Sequence, residues 1–352
     1  MTAAPTISAD PGAVTRKPRR VRFAGWHRMP TKAKAGAIIL GFFVLVGIFG
    51  PLLAPYAPSL QNPALSASLQ GPSGAHWLGT TQSGQDVLSQ VLTGIRLTLE
   101  VGFLVGVIST VLSVIIGVAA AYLGGFWDEL ISLVCNVFLV IPALPLLVIL
   151  LGYLSSKGQW PTIIVLSFLG WAWGARVIRA QSLAIRNRDF VSSAREVGER
   201  TWRIIVFEII PNQVSLIAAS FVGSVLYAIG ASVALSFIGV ASLNTWSLGT
   251  ILYWAQNGNA LQVGAWWWFV PPGVVVAIIG TALVMLNSGV DELGNPRLRD
   301  AHNASKAAGH WIKPADPTAV VTGFAPPAGG LSRFTRSFSR QSALEGAKGG
   351  RN

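Results

Sequence analysis

The chain has 352 residues, of which 52% are apolar and only 11% are charged, and its mean hydropathy is +0.55. Soluble domains carry about 25% charged residues, so this composition excludes an ordinary soluble protein and predicts an all-α polytopic membrane protein. The net charge of +12 comes from basic blocks that separate apolar runs, which favours a role in membrane topology over nucleic-acid binding.

The N-terminal part of the chain predicts a basic arm followed by a membrane helix. Residues 1–34 are polar and carry eight Lys or Arg against the single Asp10, which predicts a disordered arm. The apolar run from Ala35 to about Ala54 can cross a bilayer, and its long basic leader favours an uncleaved helix over a signal peptide. Residues 35–95 contain no Lys or Arg, so the following loop is predicted outside the cell and the N-terminus in the cytoplasm.

The first outer loop contains HWLGTTQSGQDVLSQVLTGIRLTL, from His76 to Leu99. Gly79 and Gly84 bracket a predicted turn, and Asp86 is suited to begin the amphipathic helix that follows. His76 has no companion ligands in this loop, so a metal site is not predicted there.

Five further apolar runs predict five more membrane helices. They are Leu99 to about Gly124, Leu130 to about Tyr153, Thr162 to about Val177, Gln213 to about Val240 and Val270 to about Gly289. Asp128 and Glu129 predict an acidic turn before the third helix, and Pro142 and Pro145 predict a kink inside it. The only cysteine, Cys135, lies in the same run, which favours packing over a disulfide or a metal site.

The segment from Ala241 to Trp268 is polar and aromatic and contains no cation. Trp266, Trp267 and Trp268 are typical of an aromatic belt at the outer membrane surface. Stacking of these tryptophans against the sugars of a cargo is an open alternative.

The distribution of charge supports six crossings with both termini in the cytoplasm. Residues 176–203 contain seven Lys or Arg and the C-terminal tail contains nine, whereas residues 205–295 contain none. Only Arg96 and Lys157 then lie outside, in agreement with the positive-inside rule. Residues 300–352 are rich in Gly, Ala and Ser without apolar periodicity, which predicts a disordered cytoplasmic tail.

A polar and basic interval, DFVSSAREVGERTWRIIVFEIIPN, occupies residues 189–212 between the fourth and fifth apolar runs. Val191, Ala194 and Val197 recur at near-helical spacing and predict a narrow apolar stripe on a short polar helix. Gly198 predicts the end of that helix. The spacing alone leaves two interpretations open, a helix lying against lipid headgroups or a contact site for a soluble partner.

This interval resembles the cytoplasmic EAA loop of ABC importer permeases. That loop has a Glu-Ala-Ala triplet, a glycine four residues after its last alanine and a proline thirteen residues further on. Here the triplet position reads Ser192, Ser193 and Ala194, the glycine is Gly198 and the proline is Pro211. The glutamate and the first alanine are thus replaced by serines. Pro211 also suits the first turn of a new helix.

Two other segments carry the same resemblance. Residues 76–99 are similar to the HWLGTDxxGRDVxSRxxxGxRxSL signature of the dipeptide and oligopeptide branch, with Thr81 and Gln85 in place of Asp and Arg. Residues 291–299, DELGNPRLR, are similar to the terminal DPRLR of that branch, with Asn295 in place of Asp.

The resemblance covers residues 35–299 and implies the type I ABC importer transmembrane fold. It implies a first helix and outer loop in residues 35–98, a permease core in residues 99–299 and a coupling loop in residues 181–211. The implied protein is a C-type permease subunit in the bacterial cytoplasmic (inner) membrane that forms half of a pathway for di- or oligopeptides. Its implied partners are a second homologous permease, two cytoplasmic ABC ATPase subunits and an extracytoplasmic substrate-binding protein.

The chain contains no GxxxxGKS or GxxxxGKT phosphate loop, so no cofactor is expected in it, and ATP and Mg²⁺ are expected on the partner ATPases. It also lacks an HExxH motif and a Cys/His cluster, so no enzymatic activity is expected. The residues expected to couple to the ATPase are Phe190, Val191, Ser192, Ser193, Ala194, Arg195, Val197, Gly198 and Pro211. In this prediction the apolar stripe and Phe190 occupy a groove of the ATPase, and Arg195 pairs with an acidic residue there.

Two alternatives to peptide import remain open from the sequence. The same architecture is compatible with import of cello-oligosaccharides, glucosides or another small solute, since no residue pattern identifies the cargo. A membrane scaffold with an amphipathic loop is a more remote alternative.

Overall fold

The computed structural model describes residues 30–61, 67–154 and 158–294. These residues form helices joined by turns and loops. In chain order the helices are α1 (Thr31–Leu53), α2 (Val87–Leu123), α3 (Gly125–Val140), α4 (Ala143–Tyr153), α5 (Gln159–Arg186), α6 (Asp189–Glu196), α7 (Thr201–Ile204), α8 (Val214–Phe237), α9 (Leu248–Asn257) and α10 (Trp266–Gly294). A π-helical turn (Ile205–Ile209) and a 3₁₀ turn (Pro211–Gln213) connect α7 to α8.

Five of these segments are long and apolar enough to cross a bilayer: α1, α2, α5, the run from α7 through α8, and α10. Helices α3 and α4 meet the same criterion only together, and they are bent by 90° at the break between them. The predicted all-α membrane fold is therefore confirmed, with five candidate spans and one bent pair.

Helices α2 and α5 show that the bent pair crosses as well. The hydroxyl of Ser109 donates to the carbonyl oxygen of Ser167 (3.4 Å), and that of Ser113 donates to Trp171 (2.7 Å). From the first contact to the second, the residue number increases on both helices, so α2 and α5 run parallel to each other. Because parallel neighbours need a return connection between them, the chain of α3 and α4 must travel back across the bundle. We therefore count the pair as the sixth crossing.

Close approach of the long helices depends on small residues. A Cβ atom at Gly174 of α5 would lie 2.6 Å from the hydroxyl of Ser113, and one at Gly117 of α2 would lie 2.6 Å from the Ala175 carbonyl. Helix α2 also contacts α1, α8 and α9, so it occupies the centre of the bundle. Glycine at these contacts lets backbones meet at distances that larger side chains would prevent.

The bundle has two chemically different ends. The start of α1 meets the end of α10 at Ala33 and Gly289, and the end of α2 meets the end of α5 at Ala121 and Arg186. We call this the basic end, because the described Lys and Arg of α1, α5 and α6 cluster near it. The opposite end, which carries α9, we call the neutral end. The positive-inside rule assigns the basic end to the cytoplasm.

The starts of the first two long helices refine the predicted spans. Helix α1 starts at Thr31, so residues 31–34 are helical rather than part of the arm. Helix α2 starts at Val87, because the carboxylate of Asp86 accepts a hydrogen bond from the Ser89 amide (2.8 Å) and caps the helix. The predicted helix start at Asp86 is therefore confirmed, and the amphipathic helix predicted after it forms one continuous helix with the span predicted from Leu99.

The third predicted span differs most from the structure. Asp128 and Glu129 belong to α3 and form no separate turn. The predicted kink is a complete break: Ile141 has an extended backbone (ψ 130°), as expected for a residue before proline, and Pro142 precedes α4. Cys135 is buried against α5, which confirms a packing environment for it.

The fourth and last spans are longer than predicted, and one helix was missed. Helix α5 continues to Arg186, so the loop after it begins six residues later than the predicted start of the coupling loop. Helix α9 lies in the polar and aromatic segment, for which no helix was predicted, and Ser247 caps it by accepting from the Thr250 amide (3.1 Å). Helix α10 begins at Trp266, four residues before the predicted Val270.

The tryptophan belt is only partly present. Trp266 is 53% exposed, but Trp268 is only 4% exposed and Trp267 donates a hydrogen bond to the Thr80 carbonyl (3.3 Å). The belt prediction is therefore wrong for Trp267 and Trp268, which pack within the protein. The remaining predictions, for the arm before residue 30, for Lys157, for Asn295 and for the tail, lie outside the described residues.

Candidate functional site

Helix α6 is the short helix that the sequence predicted at the basic end. It ends in a paired-bond cap in which the Glu199 amide donates to the Ala194 carbonyl and the Gly198 amide donates to the Arg195 carbonyl, both at 3.0 Å. Gly198 has φ +83°, a left-handed conformation that glycine adopts without a Cβ penalty. The prediction that Gly198 terminates the helix is confirmed.

The apolar stripe of α6 faces the protein itself. Val191 is fully buried, and Ala194 packs against the same cluster. The other buried members are Val118, Ile178, Ile185, Ile204 and Ile209. The prediction that the stripe occupies a groove of another protein is therefore wrong for Val191, which anchors α6 to α2, α5 and α7.

Val197 does not share this buried face, and its side chain is 83% exposed. The reason is geometric: each step of three residues falls about 60° short of a full turn, so Val197 faces about 120° away from Val191. Phe190, at 41% exposure, also leaves the buried face. The three-residue spacing thus predicted a single apolar stripe, whereas in the structure Val191 faces inward and Val197 faces outward.

The exposed surface of α6 carries most of the predicted coupling residues. Phe190, Ser192, Ser193, Arg195, Val197 and Gly198 are all exposed. The Ser192 hydroxyl donates to the Asp189 carbonyl (2.9 Å), so it stabilises the first turn of the helix. Both serines that replace the Glu and Ala of the EAA pattern therefore lie on the free side of the helix.

Tyr122, near the end of α2, links α6 to the central helix. The Arg195 guanidinium lies 5.3 Å from the centre of the Tyr122 ring, and the Arg186 guanidinium lies 5.8 Å from it. Arg186 also donates to the Ala121 carbonyl (2.7 Å), where a cation is favoured by the dipole at the end of α2. Sequence reasoning missed Tyr122 and Arg186, because nothing local relates them to α6.

Pro211 lies apart from the α6 surface. It is the first residue of the 3₁₀ turn that leads into α8, which confirms its prediction as the start of a new helical segment. Just after it, the buried Gln213 donates to the Ser182 hydroxyl (2.8 Å) and ties the start of α8 to α5. Pro211 therefore shapes the end of the loop rather than the exposed surface of α6.

An ion pair joins the bent pair to α5 near the same end. Arg179 donates two hydrogen bonds to the Asp128 carboxylate, from Nε (2.5 Å) and from an Nη (2.6 Å). This planar two-bond geometry is the strongest arrangement available to an arginine and a carboxylate. Within the described ranges, no group of three or more His, Cys, Asp or Glu is placed to hold a metal ion.

Comparison with known proteins identifies the family. Residues 113–300 match the family model described as binding-protein-dependent transport system inner membrane component. The chain belongs to this permease family. Residues 31–72 also match the N-terminal transmembrane domain of oligopeptide transport permease C.

Relatives of the permease cover most of its length. The dipeptide transport system permease protein DppC of Bacillus subtilis is 32% identical over 280 residues, 78% of this chain and 85% of that protein. The oligopeptide transport system permease proteins OppC of Mycobacterium tuberculosis and of B. subtilis are each 31% identical, over 75% and 76% of this chain and 89% and 86% of those proteins. The chain is thus a multi-pass inner-membrane permease component, distinct from the ATPase, and it works with the partners of an ABC complex.

Proposed function

We propose that the permease forms half of the translocation pathway of an ATP-driven peptide importer. The names of its relatives, which are dipeptide and oligopeptide transport permeases, support peptides as the cargo. Its proposed partners are a second homologous permease, two ABC ATPase subunits that bind ATP and Mg²⁺, and an extracytoplasmic binding protein. The observation that carries the proposal is an exposed short helix at the basic end that is anchored to three membrane helices.

In α6, the residues available to contact an ATPase differ from those that hold the helix to the membrane bundle. Phe190 and Val197 are the exposed apolar side chains available to an ATPase groove, and Ser192 and Ser193 are exposed as well. Val191 transmits displacement of α6 to the buried cluster of α5 and α7. Arg195 transmits it to Tyr122 and hence to the end of α2. Movement of two ATPases toward each other would then tilt the spans as rigid bodies.

The proposal assigns Arg195 a different role from the one expected from sequence. Its guanidinium lies over Tyr122, so its charge already has a partner within the chain. Docking of the ATPase then depends more on apolar contact by Phe190 and Val197 than on an ion pair. The neutral serines at the triplet position are consistent with such a contact, because they add no charge to it.

Crosslinking from a single thiol tests the proposal. The only native cysteine, Cys135, is buried, so Ser193→Cys places one reactive thiol on the free side of α6. Ser83→Cys, exposed at the neutral end, is the matched control. We expect a short bifunctional reagent to join Ser193→Cys, but not Ser83→Cys, to the co-expressed ATPase. On intact cells, a membrane-impermeant maleimide should label only Ser83→Cys, and the reverse pattern would refute the coupling role of α6.

A further inference from the structure

A cavity of about 410 Å³ opens at the neutral end of the permease. Its walls come from the outer loop before α2, the loop before α9, the end of α9 and the first turn of α10. Gln82, Asn244 and Asn257 at its rim are exposed, whereas Thr81 and Trp268 in its wall are buried. The size is within the range of small-molecule sites, about 300–1,000 Å³.

The lining of this cavity is polar but uncharged. Five carboxamide side chains contribute to it: Gln61, Gln82, Gln85, Asn244 and Asn257. Three indole side chains, of Trp246, Trp254 and Trp268, supply apolar surface. None of the described residues that line the cavity carries a charge. A ligand with a charged group inside it would lose hydration without gaining a counter-charge, so the lining favours an uncharged ligand.

The hydrogen bonds within the chain leave both donors and acceptors for such a ligand. Asn257 uses its amide nitrogen to donate to the Tyr253 carbonyl (2.9 Å), which leaves its oxygen as an acceptor. Gln85 uses its oxygen to accept from Gln90 (2.9 Å), which leaves its amide nitrogen as a donor. A donor and an acceptor together match the C=O and N–H groups of a peptide main chain.

The wall of the cavity is held in place by the outer loop. Asp86, at its base, binds His76 (2.9 Å) and Ser89 (2.7 Å) through its two carboxylate oxygens. Gly79 has φ +67°, and a Cβ atom there would lie 2.5 Å from the Gln70 carbonyl. A site fixed before binding loses little conformational entropy when a ligand enters it.

One glycine keeps the cavity open beside its tryptophan wall. A Cβ atom at Gly258 would lie 2.7 Å from the Trp268 ring and 3.1 Å from the carboxamide oxygen of Gln82. Any side chain at this position would therefore displace two groups of the lining. The cavity is a consequence of packing at three separate segments of the chain.

We propose that this cavity binds the uncharged interior of an extended oligopeptide as it enters the pathway. The inference rests on the proposed function, because the relatives' names supply the peptide class. The carboxamides bind the main chain, the indoles contact apolar side chains, and both charged termini remain outside. Free dipeptides bind poorly, since neither of their charged ends can lie far from the cavity. A saccharide would meet the same groups and is an alternative outcome of the test.

Binding to the complete transporter tests the inference. The permease with its partner permease and ATPases is placed in nanodiscs without the binding protein, and N-acetyl, C-amide pentaalanine is titrated by calorimetry. We expect saturable binding, at least roughly tenfold tighter than that of zwitterionic dialanine. Gln82→Ala and Trp254→Ala should each weaken it roughly fivefold or more. Trp77→Ala is the matched control, because Trp77 is exposed in the same loop but does not line the cavity.

Three results would overturn the inference. They are equal binding of dialanine, tighter binding of cellopentaose with the same dependence on Trp254, and equal effects of Trp77→Ala and Trp254→Ala. Uptake by the full system with its binding protein separates the two proposals. If wild-type vesicles import peptides while the cavity variants bind normally, only the cavity inference fails. If no peptide is imported, the proposed function fails as well.

Discussion

Replacing Tyr122 with leucine tests whether movement of α6 is transmitted to the central helix α2 by the contacts of arginines with the Tyr122 ring. Leucine keeps an apolar side chain against the Val191 cluster but removes the ring over which Arg186 and Arg195 lie. The Arg186 hydrogen bond to the Ala121 carbonyl does not involve the ring, so it should persist. The substitution therefore weakens the link between α6 and α2 without removing the anchor at Val191.

The size of the effect follows from the two cation–π contacts. Each contributes about 0.5–1 kcal/mol at an exposed site, so the pair contributes about 1–2 kcal/mol. Because 1.4 kcal/mol corresponds to a factor of ten, loss of both should reduce the population of the linked arrangement roughly five- to thirtyfold. ATP hydrolysis continues in this state, but fewer hydrolysis cycles move α2.

The assay is the number of peptides imported per ATP hydrolysed in proteoliposomes that contain the complete transporter. We expect this ratio to fall at least roughly fivefold in Tyr122→Leu, with the ATPase rate and complex assembly retained. Tyr122→Phe keeps the ring and loses only the hydroxyl, so its ratio should match the wild type. An unchanged ratio in Tyr122→Leu, or equal losses in both variants, would refute transmission through the ring.

Three further substitutions test the described contacts, with unfolding of the detergent-solubilised permease as the measurement. Val191→Ala should lower its stability by about 2 kcal/mol because it leaves a cavity, whereas Val197→Ala should have no measurable effect; equal effects would contradict the assigned inner and outer faces of α6. Gly198→Ala should cost about 1 kcal/mol, since a Cβ atom is strained at positive φ, and an unchanged midpoint would argue against the left-handed cap. Asp128→Asn should cost about 2 kcal/mol by weakening the hydrogen bonds to α5, while the exposed Glu129→Gln should be neutral; similar losses in both would exclude the ion pair as the cause.

Much of the fold could be predicted because its signals are local. Long apolar runs indicate crossings, since lipid cannot satisfy backbone polar groups and only regular helices cross it. The chain also carries its own start and stop residues, and Asp86 and Gly198 act in the structure as their residue types predict. The short helix α6 was predicted from the same kind of local signal.

The candidate site was predicted less completely, because its geometry depends on contacts between distant segments. Spacing placed Val191, Ala194 and Val197 on one helix but could not show which side faces the bundle. The link from Arg195 to Tyr122 requires the ends of α2 and α6 to meet, and no periodicity within either segment reports that meeting.

The amino-acid sequence by itself determined the class of protein, the membrane crossings and their orientation. These depend on the hydropathy and charge of each segment, which decide whether that segment lies in lipid or in water and on which side of the membrane its loops lie. Only the tertiary structure decided that the kink at Pro142 is a complete break and which helix faces are free. The parallel packing of α2 and α5 makes the bent pair a crossing, and the ion pair between Asp128 and Arg179 joins that pair to α5. The cavity at the neutral end likewise exists only where two loops, the end of α9 and the first turn of α10 converge, since its walls come from residues far apart in the chain.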